Sequence, residues 1–125
     1  MDNADREKIE KIVRDRKEAH RFYSDHSKVY RAFVEMETKT FAGGDLEKKV
    51  KELIAIGISV HMNCESCMEW HIREALESGA IKEQIIEAVE VGIEMGGGPA
   101  TVSARFAMKV LEYYSSRTDP NRSIT

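Results

Sequence analysis

No proline interrupts the chain before Pro99, and the eight glycines fall mainly in tight groups. Proline removes a backbone donor and blocks a helix interior. Its absence over most of 125 residues leaves long helices open to the chain, with the glycine groups as their breaks. Residues 3–22 read as a helix by composition, with Ile9, Ile12, Val13 and Phe22 as sparse anchors among many charges. So polar a helix buries little alone and needs the rest of the domain or a second subunit to lean on. Residues 26–41 carry a better stripe in Val29, Tyr30, Phe33, Val34, Met36 and Phe41, and Gly43-Gly44 stops it. Asp45 is a suitable N-cap for the next helix.

The run Leu53-Ile54-Ala55-Ile56-Gly57-Ile58-Ser59-Val60 is the ambiguous one. By periodicity alone it could be a buried strand. Upstream, Leu46, Val50, Leu53, Ile54 and Gly57 step by three and four, which predicts a helix over 46–61, buried on most sides from residue 53. Asn63 can cap a further helix to about Ser78, with Gly79 as its stop. Residues 82–95 form another, with Ile85, Ile86, Val89 and Ile93 opposite a solvated row of Glu83, Glu87, Glu90 and Glu94. Pro99 opens the last helix, which runs to about Tyr114. The fold class expected is all-α, a single domain of about six helices.

Charged residues make up 33% and hydrophobic residues 42% of the chain, and the net charge is -3. A mildly acidic chain lacks the clustered basic surface of a nucleic-acid binder. No apolar run approaches the ~20 residues of a membrane span. The charged opening MDNADREKIEK is no signal peptide. The expectation is a cytoplasmic, reducing compartment, where a static structural disulfide is out of place.

Both cysteines lie in one stretch, HMNCESCMEWH, residues 61–71. At roughly 100° per residue, Cys64, Cys67, Met68, His71, Ile72, Ala75 and Leu76 share one face. Ser66, Glu69, Arg73 and Glu77 fall on the other. Adjacent turns put the two cysteines within disulfide reach. The helix start also favours a thiolate, which is the reactive form. His71 could take a thiol proton or, as a cation, stabilise the thiolate. Two other readings stay open at this point. One is a pair of small buried hydrophobes. The other is a zinc site from His61, Cys64, Cys67 and His71, although one continuous helix fans those side chains apart. Haem attachment fails, because Met68 stands where that motif needs histidine.

Glu52 lies twelve residues before Cys64, giving Glu52-x11-Cys64-x2-Cys67-x3-His71. This pattern resembles the active-site signature of the AhpD-like alkylhydroperoxidases, within the carboxymuconolactone decarboxylase superfamily. The resemblance runs through ELIAIGISVHMNCESCMEWHIREALESGAIKEQIIEAVEVGIEMGGGPA and covers roughly residues 46–115. It implies a core over 46–115, an N-terminal helical extension over 1–45 and a C-terminal tail over 116–125. It implies Cys67 as the peroxidatic cysteine, Cys64 as its disulfide partner, and His71 and Glu52 as a proton relay. No metal or other cofactor is called for. The partners implied are a hydroperoxide substrate, an external dithiol of thioredoxin-like or lipoyl type, and further copies of the chain in a trimer or hexamer. Some members carry histidine directly before the second cysteine, where this chain has Ser66, which cannot act as a base near neutrality. The alternatives are a carboxymuconolactone decarboxylase-type lyase, whose known members generally lack the cysteine pair, and a thioredoxin-like redox module if residues 53–60 are a strand. From the residues alone, Glu52 shares a side with Ala55, Ile56 and Ser59, away from the main stripe, and only the family spacing selects it over Glu47; the small residues beside it would let another helix approach and could bury it. Burial would raise its pKa.

Overall fold

The computed structural model describes residues 1–116; the expected tail lies, from residue 117 on, outside the described residues. Six helices follow one another: α1 (Asn3–His26), α2 (Lys28–Phe41), α3 (Lys48–Met62), α4 (Glu65–Glu77), α5 (Lys82–Gly96) and α6 (Gly98–Ser116). The fold is all-α, and residues 53–60 are helical inside α3, which removes the thioredoxin-like alternative.

The caps explain where the helices begin, and two differ from expectation. Asp2 caps α1 by accepting the Asp5 N–H at 2.8 Å, and Ser27 caps α2 by accepting the Tyr30 N–H at 3.0 Å. Asp45 does not cap α3; the position falls to Glu47, which makes no side-chain cap bond. The preceding turn is held instead by Lys51, whose Nζ donates to the carbonyls of Thr40 and Ala42 at 2.9 and 2.7 Å. Asn63 does not open α4 either. It adopts the left-handed conformation at φ 55°, closes α3, and passes the N-cap role to Cys64. Asparagine tolerates that conformation better than most residues.

The core is built where α3, α4, α5 and α6 meet, with Ile56, Val60, Met68, Ile72, Ile85 and Val110 fully buried. Side chains of this size each contribute about 1.5–3 kcal/mol on burial. α3 and α5 cross at glycines: a Cβ on Gly92 would lie 2.5 Å from the Gly57 carbonyl oxygen. The buried face of α3 is not the stripe through Leu46, Val50 and Leu53. It is Glu52, Ile56, Ser59 and Val60, while Ile54 and Ile58 remain half exposed. α1 returns across α4 and α6 and buries Ile9 there; α2 touches α1 and α3 and has no buried residue. None of the described helices is long and apolar enough to cross a membrane.

Candidate active site

Cys64 is the N-cap of α4, and the first turn of that helix carries both cysteines. The Cys64 N–H donates to the Ser59 carbonyl at 3.0 Å, tying the turn to the end of α3. Cys64 and Cys67 are joined by a disulfide, with Cα atoms 5.2 Å apart. The Cys67 N–H donates to Cys64 Sγ at 3.2 Å, so this sulfur takes the place of the usual N-cap oxygen. An unpaired helix-terminal N–H and the positive end of the helix dipole favour negative charge there. Both cysteines are half-buried.

His71 lies one turn beyond Cys67 on α4, on the same face of the helix. Its Nδ1 is 2.7 Å from Glu52 Oε1, reaching from α4 to the buried face of α3. Glu52 is 1% exposed and also accepts from Lys48 Nζ at 2.6 Å on its other oxygen. Burial pushes the Glu52 carboxyl up, but hydrogen bonds and charge from His71 and Lys48 outweigh it and hold the group below its ordinary 4.5. The burial that the small neighbours allowed is present; the raised pKa that would go with it is reversed, because an imidazole N–H and a lysine ammonium sit on the two oxygens. An ionised carboxylate only accepts. His71 Nδ1 therefore carries a proton, and in a neutral imidazole so held Nε2 is the acceptor. The Phe41 ring, at the end of α2, packs on the imidazole with centroids 5.1 Å apart.

Across α4 from His71, Glu69 lies on the face opposite the cysteines, as the helical wheel had it, and is fully buried there. It accepts from Arg16 on α1 and from the Tyr114 hydroxyl on α6, and Arg73 Nε stands 3.4 Å away. Burial, followed by the hydrogen bond to Glu69 and its charge, pushes the Tyr114 phenol above its ordinary 10.0, so it stays a donor. The Arg16 and Arg73 guanidiniums both lie over the Trp70 ring, 5.2 and 4.9 Å from its centroid, so a side chain from α1 of the same chain packs on it. His61 is exposed at the end of α3, against Gly96. Among the described residues no three His, Cys, Asp or Glu side chains converge in a way that could hold a metal ion. Sequence reasoning missed Lys48, Phe41, Arg16 and Tyr114; only Lys48 carried a signal, its i,i+4 spacing to Glu52.

The profile of the carboxymuconolactone decarboxylase family matches residues 27–110. The chain belongs to that family. It is 41% identical over 73 residues to an uncharacterized protein of Cupriavidus necator, a match covering 58% of this chain and 62% of that protein's length. It is 40% identical over 81 residues to uncharacterized protein 4 in the cox locus of Paracoccus denitrificans, covering 65% of this chain and 73% of that protein. The fold resembles a crystal structure of a carboxymuconolactone decarboxylase family protein from Thermotoga maritima for which a part in an antioxidative response has been suggested. There the TM-score is 0.82 at 25% identity, over 92% of this chain and 98% of that one. A family member from Legionella pneumophila, solved in its apo form, matches with a TM-score of 0.75 at 26% identity, over 90% of this chain and 98% of that one.

Proposed function

We propose that this family member is a thiol-dependent peroxidase and disulfide reductase. The observation that carries the reading is the 2.7 Å bond from His71 Nδ1 to buried, ionised Glu52, with Cys67 one turn away and already paired to Cys64. Glu52 holds the imidazole in the tautomer that accepts at Nε2, and its charge stabilises the imidazolium once formed. In the dithiol form, Nε2 takes the Cys67 thiol proton. The Cys67 thiolate attacks the terminal peroxide oxygen, the O–O bond breaks, and the alkoxide leaves with the proton from His71 as an alcohol. Cys67 is then a sulfenic acid. Cys64 attacks that sulfur, forms the disulfide and releases water.

An external dithiol, of thioredoxin-like or lipoyl type, completes the cycle by attacking Cys67 and expelling Cys64 as a thiolate. The Cys67 N–H already points at Cys64 Sγ, which suits Cys64 to that leaving role. The proposal includes a cytoplasmic setting with such a dithiol, and a homo-oligomer, trimer or hexamer. The half-exposed Ile54, Ile58, Val91 and Met95 along the groove between α3 and α5 support association. Decarboxylation of a carboxymuconolactone-type lactone, the chemistry in the family's name, has no use for a sulfur–sulfur bond.

The experiment is hydroperoxide consumption driven by a small dithiol, with Cys67→Ser and Cys64→Ser beside the parent. Both variants are expected to fall to the uncatalysed background, and the parent to lose two hydrogens on a mass spectrum after one equivalent of peroxide. Undiminished turnover in both serine variants would sink the mechanism.

A further inference from the structure

Arg16 comes from the middle of α1, far from the redox turn in sequence, yet it grips that turn by its backbone. Its Nη2 donates to the Ser66 carbonyl at 2.8 Å and to the Ser66 hydroxyl at 3.0 Å. Its Nη1 donates to Glu69 Oε1. A planar guanidinium can make these bonds together, where a lysine ammonium has no such fixed fork. Glu69 is fully buried and is itself fixed by the Tyr114 hydroxyl. Two guanidiniums, those of Arg16 and Arg73, stand against this one carboxylate, so the cluster carries net positive charge. Arg16 is the member bonded to the turn.

The Ser66 carbonyl is one end of the peptide whose other end is the Cys67 N–H. That N–H donates to Cys64 Sγ at 3.2 Å. A cation bonded to the oxygen of a peptide withdraws electron density from its nitrogen and strengthens its N–H as a donor. The structure therefore holds a continuous line from Glu69 through Arg16 and the Ser66–Cys67 peptide to the Cys64 sulfur.

We propose that Arg16 is a positioning residue of the redox pair: it fixes and polarises the Ser66–Cys67 peptide so that its N–H stabilises Cys64 as a thiolate. This rests on the thiol-redox reading of the same site. It adds an element the Glu52-to-His71 signature does not contain, the N-terminal helix. The turn also faces Lys8, ion-paired to Glu65 at 2.9 Å between α1 and α4, and His71 with Glu52 and Lys48 between α4 and α3. Neither set is altered by the substitutions that follow.

The test isolates Cys64 in a Cys67→Ser background and follows its alkylation rate and thiolate ultraviolet absorbance against pH. Adding Arg16→Met is expected to move the midpoint upward and slow alkylation at neutral pH by about tenfold, the equivalent of one pKa unit. Arg16→Lys restores charge beside the carbonyl and is expected to recover most of that loss. Where Arg16→Met does not fold, as judged by circular dichroism, Arg16→Gln keeps polar contact with Glu69 and Ser66 without the charge and carries the test. A folded neutral variant with the parent's midpoint, even at a lowered melting temperature, overturns the proposal by making Arg16 a structural tie only. The readout needs no peroxide: a shifted midpoint in a protein that consumes no hydroperoxide would keep this role and remove the peroxidase reading.

Discussion

Helix α4 carries a buried carboxylate contact on each flank, and the two are built from different partners. His71 and Glu69 are two residues apart, so they point roughly 200° from each other around the helix. On the His71 flank, Glu52 of α3 is bound by an imidazole and an ammonium. On the other, Glu69 is bound by a guanidinium and a phenol. Both carboxylates are at most 1% exposed. What separates them is whether the partner can exchange a proton near neutrality. Imidazole can. Arginine cannot, and Tyr114 is pushed further from doing so by burial and by Glu69 itself. Equal burial of equal groups therefore suits one side to the relay proposed above and leaves the other a clamp.

The clamp is where the larger energetic effect is expected. Glu69→Ala leaves Arg16 and Arg73 against a low-dielectric region without their counter-charge. Removing one partner of a buried pair typically costs about 3–5 kcal/mol. Urea denaturation of the variant measures it; a loss below about 1 kcal/mol would mean that Glu69 is not holding α1 and α6 to α4. The relay flank predicts a kinetic effect instead. Glu52→Gln keeps the shape but removes the charge that supports the imidazolium. Hydroperoxide turnover is expected to fall about a hundredfold at neutral pH, the low end for lost acid–base assistance. Steady-state assays with saturating dithiol check this. Turnover equal to the parent's would make Glu52 a second structural carboxylate and erase the contrast between the flanks.

The relay flank was far more legible in the sequence than the clamp. Cys64, Cys67 and His71 sit within one helix, so spacing alone put them on one face, and Glu52 followed from a pattern of fixed separations. A helical wheel put Glu69 opposite the cysteines, where it lies, but a wheel sorts residues by angle and does not say which side is covered. It has no knowledge that α1 and α6 pack on that side and bring Arg16 and Tyr114 with them. The same limit misread α3. Leu46, Val50 and Leu53 looked like the core stripe, yet within the chain the buried face is the one holding Glu52, Ile56 and Ser59. The helix assignment of residues 53–60 succeeded for the opposite reason: the three- and four-residue steps are local. Cap residues failed where tertiary bonds took over, as when Lys51 holds the turn that Asp45 was expected to secure.

The smallest effect is the one that titrates, and it is confined to the relay flank. Glu52 is held below its ordinary 4.5, so its contribution to stability is fully present above that value and is lost as pH falls through the lower, folded one. Glu74, one turn past His71, behaves oppositely. Burial pushes it up; the charge of Lys48 opposes this, but a hydrogen bond with Glu77 and repulsion from Glu77 and Glu52 push it up further. Its contribution is present below 4.5 and is lost as pH rises through the raised, folded value. Two neutral variants therefore separate by sign. Glu52→Gln is expected to melt below the parent at neutral pH, with the gap closing as pH falls below 4.5. Glu74→Gln is expected to melt at or above the parent at neutral pH and to lose that standing in acid. Melting temperatures at neutral pH and at about one unit below the ordinary carboxyl value read both. A Glu52→Gln gap that stays constant across that range would mean that the fold does not favour the charged carboxylate over the neutral one. The bonds from His71 and Lys48 would then add nothing to that charge, and the two flanks of α4 would differ in geometry alone.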